Sequence, residues 1–312
     1  MKESVLVTGG AGYIGSMLVP HLLADGHRVT VLDSFLHNQS PFGMHFEWDT
    51  FDVVKGDARD LRVVGNLAKS ADIVIPLAAL VGAPHCDADP YAARTTNSEA
   101  IFQLCDKLSP SQWVLYPNSN SGYGSRANGG PCVEDDPLTP ISLYGRLKCD
   151  GESAVMSREN SIAFRLATVF GVSPRFRMDL IVNEFVWRAF RDQAITLFEA
   201  HFRRNFIYVR DVAGAFCHAI KNFDTMRGLV YNAGDTRANM SKWQLCERIK
   251  EHVPGFVFTE AAVGEDRDKR DYLVSNSRLE STGWAPQWSL DDGIAELLKF
   301  YGTLRVFQHG NV

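Results

Sequence analysis

The sequence predicts an α/β fold: a doubly wound parallel sheet with a smaller C-terminal α/β domain. Three observations carry this reading. Short, nearly continuous apolar runs alternate with helix-period segments through the first half. A glycine-rich turn joins the first apolar run to the first helical segment. After about Gly171 the rhythm changes to longer polar connections and helices.

Taken in order, Val5-Leu6-Val7 reads as a buried strand and Leu18 to Ala24 as a helix. Arg28 to Leu32, Phe51 to Val54 and Asp72 to Leu77 supply three more strands. Ala92 to Lys107 reads as helix, and Trp113 to Tyr116 and Ile162 to Leu166 as further strands of the same sheet. In the second half, Leu180 to Arg191 is helical. So is Leu290 to Tyr301, where Leu290, Ile294, Leu297 and Leu298 recur at helical spacing. Residues 1–171 are expected to form one domain, rejoined by part of 206–236, and 172–312 mainly a second.

Composition narrows the class. The chain has 312 residues, 45% hydrophobic and 22% charged, which suits a folded core and excludes disorder. With 32 basic and 37 acidic residues the net charge is −5, and no basic run is present, so nucleic acid is not an expected partner. The six cysteines are scattered without a C-x-x-C pair, which predicts no metal site, no disulfide framework and a reducing compartment. A strand begins almost at once, leaving no room for a signal peptide, and no apolar run nears the roughly 20 residues of a bilayer span. A soluble cytoplasmic protein is expected.

The first motif is Val5-Leu6-Val7-Thr8-Gly9-Gly10-Ala11-Gly12-Tyr13-Ile14-Gly15. Gly9, Gly12 and Gly15 lie between strand and helix, where a backbone without side chains can approach a pyrophosphate and the helix N-terminus offers free N–H groups. Asp33, at the end of the second strand, can accept from ribose hydroxyls and repels a 2′-phosphate. Together these predict a Rossmann-type site for NAD in preference to NADP. Asp57, after the third strand, reads equally as a contact to the adenine amino group or as a helix N-cap.

The second motif is Tyr144-x-x-x-Lys148, a phenol and an ammonium on one helix face. A nearby cation favours the phenolate, so Tyr144 is expected to accept a proton from a substrate hydroxyl. Upstream, Leu115 to Gly124 leaves a strand into a polar loop, from which Ser119 can donate to the reacting oxygen.

These motifs, with Leu77-Ala78-Ala79, Tyr123-Gly124, Arg165-Leu166, Arg204 to Asp211 and Gly283-Trp284-x-Pro286, resemble the extended short-chain dehydrogenase/reductase family along nearly the whole chain. Members are NAD-dependent nucleotide-sugar epimerases, dehydratases and dehydrogenases. The resemblance implies Ser119, Tyr144 and Lys148 as the catalytic trio, with Lys148 also on the nicotinamide ribose. It implies cofactor contacts from Gly9, Gly12, Tyr13, Ile14, Gly15, Asp33, Asp57, Ala58, Leu77, Ala78, Ala79 and Asn97. The implied partners are a nucleotide-diphosphate sugar and a second copy of the chain, docked through a four-helix contact made by the helices near 92–107 and after Tyr144.

The same resemblance points to reaction and substrate. In 4,6-dehydratases an Asp-Glu pair follows the catalytic hydroxyl residue; here Asn120-Ser121 follows Ser119, which disfavours elimination. Within the family, Ala78 to Pro84, Tyr116 to Gly124, His201 to Asn205 and Asp268 to Asn276 are similar to GDP-heptose 4-dehydrogenases of bacterial capsule synthesis. An epimerase is the alternative, working at carbon 4 or using His85 and Cys86 as acid and base. Arg204 and Arg270 are the expected diphosphate ligands, because guanidinium engages phosphate bidentately. Asp179, Asn183, Thr168 and Ser121 are the remaining expected substrate contacts.

Overall fold

A computed structural model describes residues 2–43, 45–126, 129–264 and 270–304. Its first half is built from β1 (Ser4–Thr8), α1 (Gly15–Ala24), β2 (Arg28–Asp33), β3 (Phe51–Lys55), α2 (Leu61–Ala68) and β4 (Ile73–Pro76). Then come α3 (Ala83–Ala88), α4 (Pro90–Arg94), α5 (Ala100–Lys107), β5 (Trp113–Ser119), α6 (Leu143–Met156) and β6 (Ser161–Leu166). The second half holds β7 (Thr168–Phe170), α7 (Ile181–Arg191), β8 (Ala194–Leu197), β9 (Arg203–Tyr208), α8 (Val209–Lys221) and α9 (Phe223–Met226). It ends with β10 (Leu229–Ala233), β11 (Asn239–Ser241), α10 (Lys242–His252), β12 (Val257–Glu260), α11 (Ser277–Glu280) and α12 (Leu290–Tyr301).

Seven parallel strands form the main sheet in the order β10-β6-β5-β4-β1-β2-β3. Both faces are covered, which is why β1, β4 and β6 are apolar with little alternation. On one face Leu18, Val19 and Leu22 of α1 meet Val212, Phe216 and Ile220 of α8; on the other, Val64, Ile101, Leu104 and Val155 pack over Leu6, Val74 and Val114. The strand order turns back at β1, between β2 and β4, and the carboxyl ends beside that reversal are where such sheets hold ligands.

The chain does return to this sheet after Gly171, with a division the sequence did not locate. Phe206 to Tyr208 belongs to β9, in a small sheet of order β11-β9-β7, whereas α8 packs on α1 and β10 pairs with β6. A second core gathers Phe170, Phe176, Val182, Val186, Leu245, Ile249, Ile294 and Leu297 beneath α7, α10 and α12.

Two elements differ from the sequence reading. The helix expected from Ala92 is α4 and α5 joined by a π-helical turn at Thr95–Glu99. Strand β5 runs on past Tyr116 to Ser119; β4 pairs only with Trp113 and Val114, so by Pro117 the strand has β6 alone as partner and a missing N–H is tolerated.

Candidate active site

The glycine turn is shaped by contacts that leave no room for side chains. Gly9 has φ +70°, and a Cβ there would lie 2.5 Å from the Ala78 nitrogen; one at Gly15 would lie 2.4 Å from the Gly10 oxygen. Gly12 differs, since its Cβ would meet only the Gly9 carbonyl, at 3.0 Å. Asp33 closes the turn: one carboxylate oxygen accepts from the Ala11 N–H at 2.9 Å and the other from Phe35 N–H at 2.8 Å. A backbone cradle at the start of α1 beside a strand-end carboxylate fits a dinucleotide, and Ala58, Leu77, Ala78 and Ala79, all partly exposed, border it.

Asp57 does not cap the helix that follows it. Its carboxylate pairs with Arg59, at 2.5 Å, and that hydrogen bond holds its pKa below the ordinary value; Asp60 caps α2. Tyr13 also turns inward. Its hydroxyl donates to the Gly171 carbonyl at 2.7 Å, and burial pushes its pKa well up, so the side chain tethers the cradle to the second half. Ser16 and Ser173, with their hydroxyls 2.8 Å apart, reinforce that junction, and Ile14 packs into both cores. Asn97 holds the loop after β4, accepting from Leu80 N–H and donating to its carbonyl, both at 2.8 Å. It therefore bears on a cofactor only through that loop.

At the end of β5 the reacting groups converge. The Ser119 and Ser121 hydroxyls are 2.7 Å apart, Arg270 donates to Ser121, and Ser119 is in hydrogen-bonding reach of the Tyr144 phenol. Ser142 caps α6 by accepting from Gly145 N–H, fixing the first turn that presents Tyr144. The expected role of Lys148 on Tyr144 is overtaken by burial. Burial pushes Tyr144 up to about 12, against the pull of Arg270, Arg177 and the Ser119 hydrogen bond. Burial likewise brings Lys148 down to about 7, with Cys149 and Glu152 opposing.

The other expected substrate residues separate into two groups. Thr168 opens β7 and is partly exposed. Arg204 is buried on β9, its guanidinium 5.9 Å from the Tyr272 ring. Asp179 is paired with Arg177; burial raises its pKa, but that hydrogen bond and charge more than offset it. Asn183 is fully buried, accepting from Gly171 N–H at 2.9 Å and donating to the Arg177 carbonyl at 2.7 Å. Its expected contact to substrate is replaced by this clamp, which orients the segment carrying Arg177 and Asp179. Asp268 and Lys269 lie outside the described residues, as part of the stretch ending at Asn276.

Cys86 is fully buried, donates to the Leu80 carbonyl at 3.4 Å and is raised by burial to about 11. A thiol in that state is a poor base, so the His85/Cys86 acid–base alternative loses one partner. His85 is partly exposed and bonds the Val81 carbonyl. Sequence reasoning missed Arg175 and Arg177, whose charges act on His37 beside Asp33, and Arg177 on Tyr144 as well. It also missed the role of Glu152 and Arg165, although an arginine inside an apolar strand is a signal that a buried partner exists. Among the described residues no group of His, Cys, Asp or Glu is placed to hold a metal, and no helix is long and apolar enough to cross a membrane.

This cradle, ahead of a Ser–Tyr–Lys set at the same strand ends, defines a dinucleotide-dependent enzyme of the short-chain dehydrogenase/reductase class. A profile of the NAD dependent epimerase/dehydratase family matches residues 5–234, and the chain belongs to that family, whose cofactor is NAD. It is 29% identical to the low-salt glycan biosynthesis protein Agl12 of Haloferax volcanii, over 95% of this chain and 98% of the relative. It is 28% identical to the UDP-glucose 4-epimerase of Mycolicibacterium smegmatis, over 95% and 97%. Its fold matches the NAD complex of dTDP-glucose 4,6-dehydratase from Bacillus anthracis, with TM-score 0.82 and 20% identity over 97% of each chain. UDP-glucuronic acid 4-epimerase from Bacillus cereus matches with TM-score 0.84 and 22% identity, over 96% of this chain and 99% of that one.

Proposed function

We propose that the protein oxidises a nucleotide-diphosphate sugar at carbon 4, with a GDP-heptose or related GDP-sugar as substrate and the 4-keto sugar as product. The observation that carries the reading is the content of the site beside Tyr144. Ser119 and Tyr144 can handle one hydroxyl proton, whereas Asn120, Ser121 and the buried Cys86 supply no second acid–base pair for elimination or for inversion next to the ketone. Tyr144 takes the hydroxyl proton while Ser119 donates to the same oxygen; NAD, held at the Gly9–Gly15 turn and Asp33, would supply the hydride acceptor. Arg270 and Arg177 stabilise the phenolate that this proton transfer requires.

Gly9 to Gly15, Asp33 and Lys148 hold the cofactor in this reading, and Thr168, Asp179, Arg204 and Arg270 the sugar nucleotide. Residues 1–171 with part of 206–236 are the NAD-binding domain and 172–312 mainly the substrate domain. The likeness of Ala78 to Pro84, Tyr116 to Gly124 and His201 to Asn205 to GDP-heptose 4-dehydrogenases supports the sugar and the base. The protein is further proposed to be a cytoplasmic homodimer joined by the helices at 90–107 and 143–156, where exposed Tyr91 and Phe102 support a covered face.

A 4-epimerase acting on a UDP-sugar is the second reading, favoured by the Mycolicibacterium relative. One experiment separates the two: GDP-, UDP- and dTDP-sugars, GDP-heptose among them, are incubated with enzyme and NAD while NADH absorbance and product NMR are followed. Stoichiometric NADH with a 4-keto sugar supports the dehydrogenase; a change of configuration without net NADH overturns it in favour of the epimerase.

A further inference from the structure

Behind the reacting groups runs a buried polar chain that the chemistry above does not use. Glu152 follows Lys148 by four residues on α6, so both lie on one helix face. One of its oxygens accepts from Asn118 Nδ2 at 2.5 Å, and Asn118 Oδ1 accepts the backbone N–H of Ser119 at 2.7 Å. Arg165, on β6, donates to the same carboxylate from Nη2 at 2.7 Å and from Nε at 3.1 Å. Its Nη1 donates to the Tyr123 hydroxyl at 3.0 Å and the Glu134 carbonyl at 2.9 Å, and Tyr123 in turn donates to Asn232 at 2.7 Å. Asn118, Glu152 and Arg165 are all buried.

Well-packed apolar side chains serve stability as well as a buried ion pair does, so the pair has to be explained by the geometry it imposes. Here it reaches a reacting residue. The three elements that meet at the site, β5, α6 and β6, are pinned to one another at a single carboxylate, one residue from Ser119 and one helical turn from Lys148. We propose that Glu152 is a positioning residue for the reaction: through Asn118 it fixes Ser119 against the helix that carries Tyr144 and Lys148. Arg165 is what lets a carboxylate occupy that place. The inference rests on Ser119, Tyr144 and Lys148 being the reacting set.

The same carboxylate favours the charged form of Lys148, as does Cys149 beside it; from β5 the group facing the ammonium is the Tyr116 ring. Removing the charge therefore lowers the pH at which Lys148 loses its proton, which gives a readout that packing alone would not move.

The test compares wild type, Asn118→Ala, Glu152→Gln and Tyr144→Phe in full-length enzyme, with NAD and whichever nucleotide sugar the panel above shows to react. Asn118→Ala is expected to lose at least tenfold in kcat with both KM values within twofold. Glu152→Gln is expected to lose kcat and to shift the alkaline limb of the kcat profile to lower pH by at least half a unit. Hydrogen exchange of the peptide spanning 113–124 should quicken in both, with or without a reacting substrate. If Asn118→Ala does not fold, the limb of Glu152→Gln and its exchange decide. Wild-type kcat in folded Asn118→Ala, or an unmoved limb and unchanged exchange in Glu152→Gln, overturns the inference while Tyr144→Phe is inactive. Full activity in Tyr144→Phe is a separate failure, that of the functional reading.

Discussion

The ammonium of Lys148 stands 4.1 Å from the centre of the Tyr116 ring, and the Tyr116 hydroxyl donates to the Lys148 carbonyl at 3.2 Å. One aromatic side chain thus braces both the tip and the backbone of the lysine. The brace needs a glycine one turn along, because a Cβ at Gly151 would lie 2.2 Å from the Tyr116 hydroxyl oxygen. The ammonium is held by a ring face in place of water, and its depressed pKa follows from that desolvation.

Lys148→Met should therefore be more stable than wild type at neutral pH while losing turnover. With the lysine at about 7 when folded and near its ordinary value when unfolded, the unfolded chain binds more protons across the interval between. Wild-type stability from this group accordingly rises with pH through that interval, and its full penalty is present below it. Offsetting the lost ring contact, the advantage of Lys148→Met is about 2 kcal/mol at pH 6 and shrinks toward pH 9.5. Urea unfolding of both proteins at several pH values checks this; a difference that grows with pH contradicts it.

Gly12 and Gly15 separate ligand space from packing space within one turn. Gly15→Ala places its Cβ 2.4 Å from a backbone oxygen, so the fold itself has to shift and folded yield should drop sharply. Gly12→Ala asks the Gly9 carbonyl, 3.0 Å away, to give by a few tenths of an ångström, a change within about 1 kcal/mol. Its methyl group fills the cradle, and NAD affinity is expected to fall at least tenfold by calorimetric titration. Equal effects of the two substitutions on stability would show that Gly12 is packed like its neighbour.

The main sheet, the glycine turn and the Tyr144–Lys148 pair were legible because each is local: apolar runs, one turn, and an i,i+4 spacing; Ser119, 25 residues upstream, joined them through its place at a strand end and the family resemblance. What the sequence hid is long-range. Nothing near Asn183 announces that its carboxamide clamps Gly171 and Arg177, or that the Tyr13 phenol crosses to Gly171 instead of facing a ligand. A polar residue at a family position reads as a ligand contact until its partners are seen. The segment at 172–177 was equally opaque, since only its fold-back over Ser16 brings Arg175 and Arg177 near the cradle.

The Glu152–Arg165 pair supplies a stability prediction apart from its role in positioning. Either single truncation, Glu152→Ala or Arg165→Ala, leaves an uncompensated buried charge and should cost about 3–5 kcal/mol. The double variant removes both charges and should cost well below the sum, with a coupling of about 1–3 kcal/mol in a double-mutant cycle. Additive losses in denaturant unfolding would mean that the two side chains stabilise the fold independently.

Cofactor choice is the last expectation, and it turns on Asp33. Both carboxylate oxygens accept backbone N–H groups, from Ala11 and Phe35, so the charge is held at the strand end and cannot swing away from a 2′-phosphate. Two charges about 4 Å apart repel by about 4 kcal/mol near a protein surface, and salt leaves a part of that. Its charge also acts on the Arg175 guanidinium, so the acid partly balances a nearby cation. Asp33→Asn keeps one acceptor and removes the charge, and the Arg175 cation that remains attracts phosphate. The preference for NAD over NADP in kcat/KM should fall at least tenfold, about 1.4 kcal/mol. An unchanged ratio with intact folding would place the discrimination elsewhere, because no other acid bonds the Gly9–Gly15 turn among the described residues.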